Sequence, residues 1–286
     1  MRRLSTRYIA GEEREAALLR GSGLAKAGYR VTYDQLGEAV SNREEVDAAV
    51  EENLRLMEDL VAQDLERNIS VKPTQLGLNL DEDFCYTSTA RVVEKAREIG
   101  AFVRFEMEES ETVDGTLRVF AKLRAEYGKH IGIVLQSMLF RTEEDVRQLL
   151  TIDQPLNVRV VKGIYVEPHD VAHQDGAEVN ASYLRMVRML AEGGAFIAAA
   201  THDEHLVAGV QEVLKEFPDA VERTEIQMLL GVREELRQEV RKMGLPVRVY
   251  VPYGDAWHKY VVRRLKKNPK LVRYAFLGMF GKSEKL

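Results

Sequence analysis

Eight short apolar runs rich in β-branched residues alternate with long charged segments along this chain, and that alternation admits few architectures. The runs cover 29–34, 69–72, 102–106, 131–136, 156–162, 196–201, 220–227 and 247–251. The intervening segments carry helical spacing at 43–65, 88–99, 142–150, 180–191, 205–217 and 231–243. In the first of these Val46, Val50, Leu54, Met57 and Leu60 fall largely on one face. The segment at 88–99 opens on a Ser or Thr that can cap it, and Thr142-Glu143-Glu144-Asp145 has the form of a capping box with aspartate in the last place. Strand and helix in regular alternation imply parallel strands with helices packed over them. A closed barrel of eight such units takes about 250 residues, and the chain has 286. An open, doubly wound sheet alternates in the same way, but eight units favour closure.

The expected fold is therefore α/β, a (βα)8 TIM-type barrel. No linker rich in Pro, Gly or Ser divides the chain, so 1–286 reads as one domain with a helical segment over 1–28. Hydrophobic residues, at 45%, can fill its core. A net charge of −5 lacks the basic footprint of a nucleic-acid partner. The single cysteine, Cys85, rules out an internal disulfide and a cysteine-rich metal knuckle, and it fits a cytoplasmic setting. Apolar stretches such as 195–200 fall far short of the roughly 20 residues that cross a bilayer. Met1-Arg2-Arg3 is followed by Glu12, Glu13 and Glu15 rather than an apolar stretch, which does not read as a signal peptide.

Barrel active sites lie at the C-terminal ends of the strands. Here those ends carry Lys72, Glu106, Gln136, Lys162-Gly163, Thr201-His202 and Gln227, with Tyr250 in the last strand. Polar residues stand wherever a core ends, so each position alone also has an ordinary structural explanation. Arg159 and Lys162 are different, because both interrupt an apolar run. An unpaired charge in a buried strand costs several kcal/mol, and a bound anionic cofactor would supply a counter-charge. His169 with His173 and His202 with His205 have spacings that permit metal binding, but the first strand ends in Tyr33-Asp34-Gln35 without a histidine pair. Gly21-Ser22-Gly23 lacks the third glycine and the preceding strand of a dinucleotide fingerprint. Near the C-terminus, 255–265 reads as a helix with Tyr260, Arg263 and Arg264 on one face. Two guanidinium groups beside a phenol suit a carboxylate. A basic helix end complementing the helix dipole, extended by Lys266, Lys267 and Lys270, explains the same spacing.

Several of these stretches occur together in one family. Val71-Lys72, Val158-Arg159-Val160-Val161-Lys162-Gly163-Ile164-Tyr165, Ala200-Thr201-His202-Asp203 and Tyr260-Val261-Val262-Arg263-Arg264 stand in the order and spacing of proline dehydrogenases. The chain resembles the short monofunctional bacterial form, and also the dehydrogenase domain of the bifunctional proline utilisation protein. That resemblance runs from Tyr8-Ile9-Ala10-Gly11-Glu12 to the arginine pair. It implies a distorted barrel holding non-covalent FAD, oxidation of L-proline to Δ1-pyrroline-5-carboxylate, a quinone acceptor and a peripheral, transient contact with the inner face of the membrane. By position it implies that Lys72, Arg263 and Arg264 bind the proline carboxylate while Tyr165, Leu229, Tyr250 and Tyr260 shape the pocket. Glu106 and Arg159 take the catalytic positions, with Arg159 at the flavin N5 edge. Met107, Gln136, Arg159, Val161, Lys162, Gly163, Thr201 and His202 line the FAD site, and no metal is implied.

Three departures from the family pattern stand out. Glu106 occupies the usual place of an aspartate, Ile164 that of an alanine, and less helix precedes Tyr8 than is customary. Two other readings compete: a metal-dependent barrel hydrolase built on His202 and His205, and a catalytically silent barrel that serves as a binding partner.

Overall fold

A computed structural model describes residues 7–37, 40–152 and 155–255. Eight strands form a closed barrel in chain order: β1 (Arg30–Gln35), β2 (Asn68–Val71), β3 (Phe102–Phe105), β4 (Ile131–Gln136), β5 (Asn157–Val161), β6 (Phe196–Ala200), β7 (Thr224–Leu229) and β8 (Val247–Tyr253). Every neighbouring pair is parallel, and β1 closes the ring on β8 from Arg30↔Arg248 to Gln35↔Tyr253. The helices are α1 (Arg14–Lys26), α2 (Arg43–Ala62), α3 (Glu82–Ile99), α4 (Val113–Tyr127), α5 (Thr142–Leu149), α6 (Gly176–Glu192), α7 (Glu204–Glu216) and α8 (Glu234–Lys242). A parallel pair needs a crossover connection, and α2 to α8 supply one between each successive pair of strands. Helix α1 packs on β1 and β8 through Leu18 and Leu24. It is tied to α2 by Arg14, which donates to Glu52 and Asp59.

Three local expectations are corrected. The run at 220–227 does not begin as strand, because Pro218–Arg223 forms a 3-10 helix and β7 starts at Thr224. Proline fixes its own φ for such a turn, and the Thr224 hydroxyl donates to the Ala220 carbonyl at 2.8 Å. Helix α3 begins at Glu82, well before Ser88, because the Asp81 carboxylate caps it by accepting the Phe84 N–H at 2.8 Å. The expected capping box at Thr142 is absent. Its hydroxyl donates to the Gln136 carbonyl at 2.7 Å, and Asp145 accepts instead from Arg141 at 2.9 Å.

The apolar core fills the layer between sheet and helices, with Val46, Leu56, Val92, Phe120, Val187 and Val210 all buried. Inside the barrel the filling is unlike the branched aliphatic layers usual for this architecture. Asp34, Ser70, Lys72, Arg104, Gln136, Arg159, Glu225, Gln227 and Arg248 are buried there. A closed sheet lets such groups find partners on strands that are not neighbours, which meets the requirement that buried charge be paired.

Arg104 shows the close fit this demands. Its guanidinium donates to the Ile133 carbonyl at 3.0 Å and the Asn157 carbonyl at 2.8 Å, and it also reaches the Asn157 side chain. It passes directly over Gly132, where an added Cβ would lie 2.5 Å from the Asn157 oxygen and 2.7 Å from Arg104 Nη1. Gly132→Ala is therefore expected to destabilise the protein by about 1–3 kcal/mol, the usual cost of overpacking. Urea unfolding should show a lower midpoint at unchanged m. A change under about 0.5 kcal/mol, the range of ordinary surface substitutions, would show that the barrel yields there.

Candidate active site

The C-terminal mouth of the barrel is organised around Arg159, which projects inward from β5 and is 3% exposed. Its Nε donates to Gln227 Oε1 on β7 at 2.6 Å, its Nη1 to Glu106 Oε1 just beyond β3 at 2.5 Å, and its Nη2 to Ser70 Oγ on β2 at 3.2 Å. The Tyr250 ring lies 5.2 Å from the guanidinium carbon, and its hydroxyl donates to Glu106 Oε1 at 3.4 Å. Four strands thus converge on one cation. Burial would raise the Glu106 pKa, but Arg159 and Lys72 outweigh it and hold the carboxyl below its usual range. The Glu106 carboxylate thus lies inside the barrel mouth, facing Arg159 and Tyr250.

Lys72, at the end of β2, donates to Asp34 Oδ1 at 2.5 Å and to the Gln35 carbonyl at 3.4 Å. Burial pushes the Asp34 carboxyl up in spite of this cation. Burial also opposes the Lys72 charge, but Asp34, Glu106 and Glu108 together raise its pKa. Glu108 accepts from the Thr74 N–H at 2.9 Å and hydroxyl at 2.8 Å, and burial raises its pKa. The Glu108 backbone carbonyl accepts from Gln136 Nε2 at 2.7 Å. That bond fixes the amide so that Gln136 Oε1 is left buried with no partner among the described residues.

On the adjoining rim, Lys162 is half exposed and donates to Asp203 at 2.8 Å. Asp203 also caps α7 through the His205 N–H at 3.0 Å, while its own N–H reaches the Thr201 hydroxyl at 3.1 Å. His202 Nε2 accepts the Leu229 N–H at 2.8 Å, which leaves Nδ1 to carry the proton of the neutral ring. The carbonyls of Val161 and Lys162 accept from Ser137 and Met138, so the strand end is locked to the loop after β4. Gly163 has φ +105°, a conformation that favours glycine, and a Cβ there would also push against the Met138 side chain. Beyond it Ile164 is 39% exposed and Val166 78%. Ile164 thus stands at the surface of the loop rather than buried in the barrel. Tyr165 is half-buried against the core, and Met107 is buried.

Lys72, Glu106, Gln136, Arg159, Leu229 and Tyr250 therefore converge at one end of the barrel, with Val161, Lys162, Gly163, Thr201 and His202 along the adjoining rim. Tyr260, Arg263 and Arg264 lie outside the described residues. The sequence reading passed over Asp34, Ser70, Glu108 and Glu225. Asp34 and Glu108 had a usable signal, since each stands at or just past a strand end; a serine within a strand carries none. Among the described residues no group of three or more His, Cys, Asp or Glu is placed to hold a metal ion. His173 instead packs edge-on against Phe140, with ring centroids 4.6 Å apart. No described helix is long and apolar enough to cross a membrane.

Known proteins share this fold and much of this sequence. The family model described as proline dehydrogenase matches residues 17–272. The chain is 34% identical to the proline dehydrogenase of Deinococcus radiodurans over 280 residues, covering 96% of this chain and 90% of the relative. It is 33% identical to proline dehydrogenase 2 of Bacillus subtilis strain 168, with the same coverage. Among solved structures, proline utilization A from Bdellovibrio bacteriovorus, inactivated by N-propargylglycine, superposes with a TM-score of 0.85 at 25% identity. That match covers 92% of this chain but 32% of the larger protein. With an eight-stranded parallel barrel, a charged interior opening at its C-terminal mouth and near full-length similarity to such relatives, the chain belongs to the proline dehydrogenase family.

Proposed function

We propose that this protein oxidises L-proline to Δ1-pyrroline-5-carboxylate at a non-covalently bound FAD, as the first step of proline catabolism, and delivers the electrons to a quinone at the inner face of the membrane. Family membership makes it a flavin-dependent oxidoreductase of proline catabolism. The observation that carries the finer reading is Arg159, a cation fixed at the barrel mouth from three other strands. The residues also suit the cofactor. Gln136 Oε1 is a buried acceptor without a donor among the described residues, and the flavin ring carries an N–H edge. Lys162 and Arg159 offer positive charge to an anionic group.

FAD, when bound, supplies the two-electron acceptor. Proline loses a hydride from the ring carbon next to nitrogen and a proton from the amine, and a carbon–nitrogen double bond forms between them. The chain's own residues bind and orient. Lys72, with Arg263 and Arg264 placed by resemblance, holds the substrate carboxylate, so that the reacting carbon is presented in one geometry. Tyr165, Leu229, Tyr250 and Tyr260 enclose the ring. Arg159, placed by resemblance near the flavin, would favour accumulation of negative charge on the reduced ring. Met107, Gln136, Val161, Lys162, Gly163, Thr201 and His202 seat the cofactor.

Purified protein should be yellow, anaerobic L-proline should bleach it, and a soluble quinone analogue should restore the colour. Colourless protein that binds zinc would overturn the reading in favour of a hydrolase. Yellow protein that proline does not bleach would leave the flavin site standing and remove the substrate.

A further inference from the structure

Gln227 and Glu225 both stand on β7 and both point into the barrel, with exposures of 4% and 1%. Neither belongs to the cofactor or substrate contacts proposed above. Their hydrogen bonds form a directed line. Arg248 Nε donates to Glu225 Oε1 at 2.7 Å, and Arg30 Nη1 donates to Glu225 Oε2 at 3.0 Å. Gln227 Nε2 donates to the same Glu225 Oε1 at 2.6 Å, and Gln227 Oε1 accepts from Arg159 Nε at 2.6 Å.

An amide has a donor end and an acceptor end, and rotation by half a turn exchanges them. In this setting the exchange is forbidden on both sides. It would set the Gln227 NH2 against an Arg159 N–H that also can only donate, and the Gln227 oxygen against a carboxylate that can only accept. Glu225 holds that role because it is ionised. Burial would favour its protonated form, but the two arginines and the Gln227 donor prevail and keep its pKa below the usual range. Arg248 is also held by Glu66 at 2.9 Å and by its own bond to the Val31 carbonyl at 2.7 Å, so the far end of the line is anchored in the barrel wall.

Arg159 presents five N–H donors in one rigid plane. Bonds at Nε, Nη1 and Nη2 to residues on three different strands leave that plane no freedom to rotate. Gln227 grips the Nε corner, the one nearest the side-chain stem, and therefore sets the tilt of the whole fork.

We propose that Gln227 is a positioning residue for Arg159, that Glu225 fixes the orientation of its amide, and that the line Arg248–Glu225–Gln227–Arg159 holds the guanidinium at the angle the flavin requires. The proposal rests on the placement of Arg159 beside the flavin. It accounts for a feature that substrate and cofactor contacts leave unexplained, a buried carboxylate and amide in a layer where barrels ordinarily carry aliphatic residues.

The test uses the flavin-loaded protein and the variant Gln227→Met, which keeps the side-chain length and removes both polar ends. Reduction of the flavin by proline should slow at least about tenfold, the weight of one hydrogen bond to a charged group. The midpoint potential of the flavin should fall, the KM for proline should stay within about twofold, and the flavin content should be unchanged. In an Arg159→Met background the same substitution should move neither the potential nor the rate, because it acts through the arginine. A residue that merely supports the barrel would add its full effect in both backgrounds, and that result would overturn the proposal. Glu225→Gln gives a second, independent reading, since it leaves Gln227 in place but permits its amide to turn. The potential should fall in the same direction by less, and an unchanged potential would remove Glu225 from the line even if Gln227→Met does not fold. If Arg159→Met itself leaves potential and rate unaltered, the placement of Arg159 fails and the positioning role with it. If Arg159→Met alters both and Gln227→Met neither, the link alone is overturned.

Discussion

Arg159→Met should lower folding stability at neutral pH by about 3–5 kcal/mol, because it removes one partner of a buried ion pair, and should slow flavin reduction by at least as much as any other single change in the barrel. The cost arises from what is left behind. Glu106 would stay largely enclosed, with the Tyr250 hydroxyl at 3.4 Å, having lost the guanidinium at 2.5 Å that helps keep it ionised. Gln227 Oε1 would lose its donor as well. In the wild type the Glu106 pKa lies below its unfolded value. Its stabilisation is therefore present above the unfolded carboxyl pKa, near about 4.3, and is lost as the pH falls through the folded pKa. In Arg159→Met that pKa should rise, so the gap between the two proteins should be widest at neutral pH and narrow in acid. The double variant Arg159→Met, Glu106→Gln should recover much of the stability, since the orphaned charge is gone, and none of the reduction rate. Urea titrations of the flavin-loaded proteins between pH 4 and 8 would measure the first effect and anaerobic stopped flow the second. A stability gap that does not vary with pH would mean that Glu106 is not the group left unpaired.

The sequence makes the barrel legible because its signal is repeated. Each apolar run is short and each intervening segment is amphipathic, so no single misread boundary changes the count. Boundaries were misread where a side chain serves tertiary rather than local needs. Thr142 has the sequence of a helix cap, yet its hydroxyl is spent on the Gln136 carbonyl. Ala220 and Val221 look like the start of a strand, yet they follow Pro218 into a 3-10 turn. Arg159 was conspicuous as a charge inside an apolar run, and the motif around it points to the family. Its partners were not legible, because Gln227, Glu106 and Ser70 stand 68, 53 and 89 residues away along the chain. Nothing local says which strand faces which across a closed barrel. Glu225 was hidden for a related reason. A glutamate near the start of a strand ordinarily marks solvent, and here the barrel wall closes around it with Arg248 and Arg30.

At Lys72 stability and substrate binding should come apart. The lysine is held by Asp34 at 2.5 Å, with Glu106 and Glu108 adding to the negative field around it. Its ammonium therefore remains charged in a largely buried position, available to an incoming carboxylate. Lys72→Met should raise the KM for L-proline by about 10- to 150-fold, the range of a hydrogen bond between charged partners, with the flavin still bound. Pyrrolidine, which has no carboxylate, should be an equally poor substrate for both proteins. The same change strands Asp34, whose carboxyl burial already pushes up. Protonation of Asp34 can limit the damage, so the stability loss should shrink as the pH is lowered. Asp34→Asn added to Lys72→Met removes the stranded charge and should restore most of the stability at neutral pH. It returns no cation to the site, so the KM should stay high. Recovery of both quantities together in the double variant would mean that Lys72 serves only to neutralise Asp34, and the carboxylate would then have to be held by other residues.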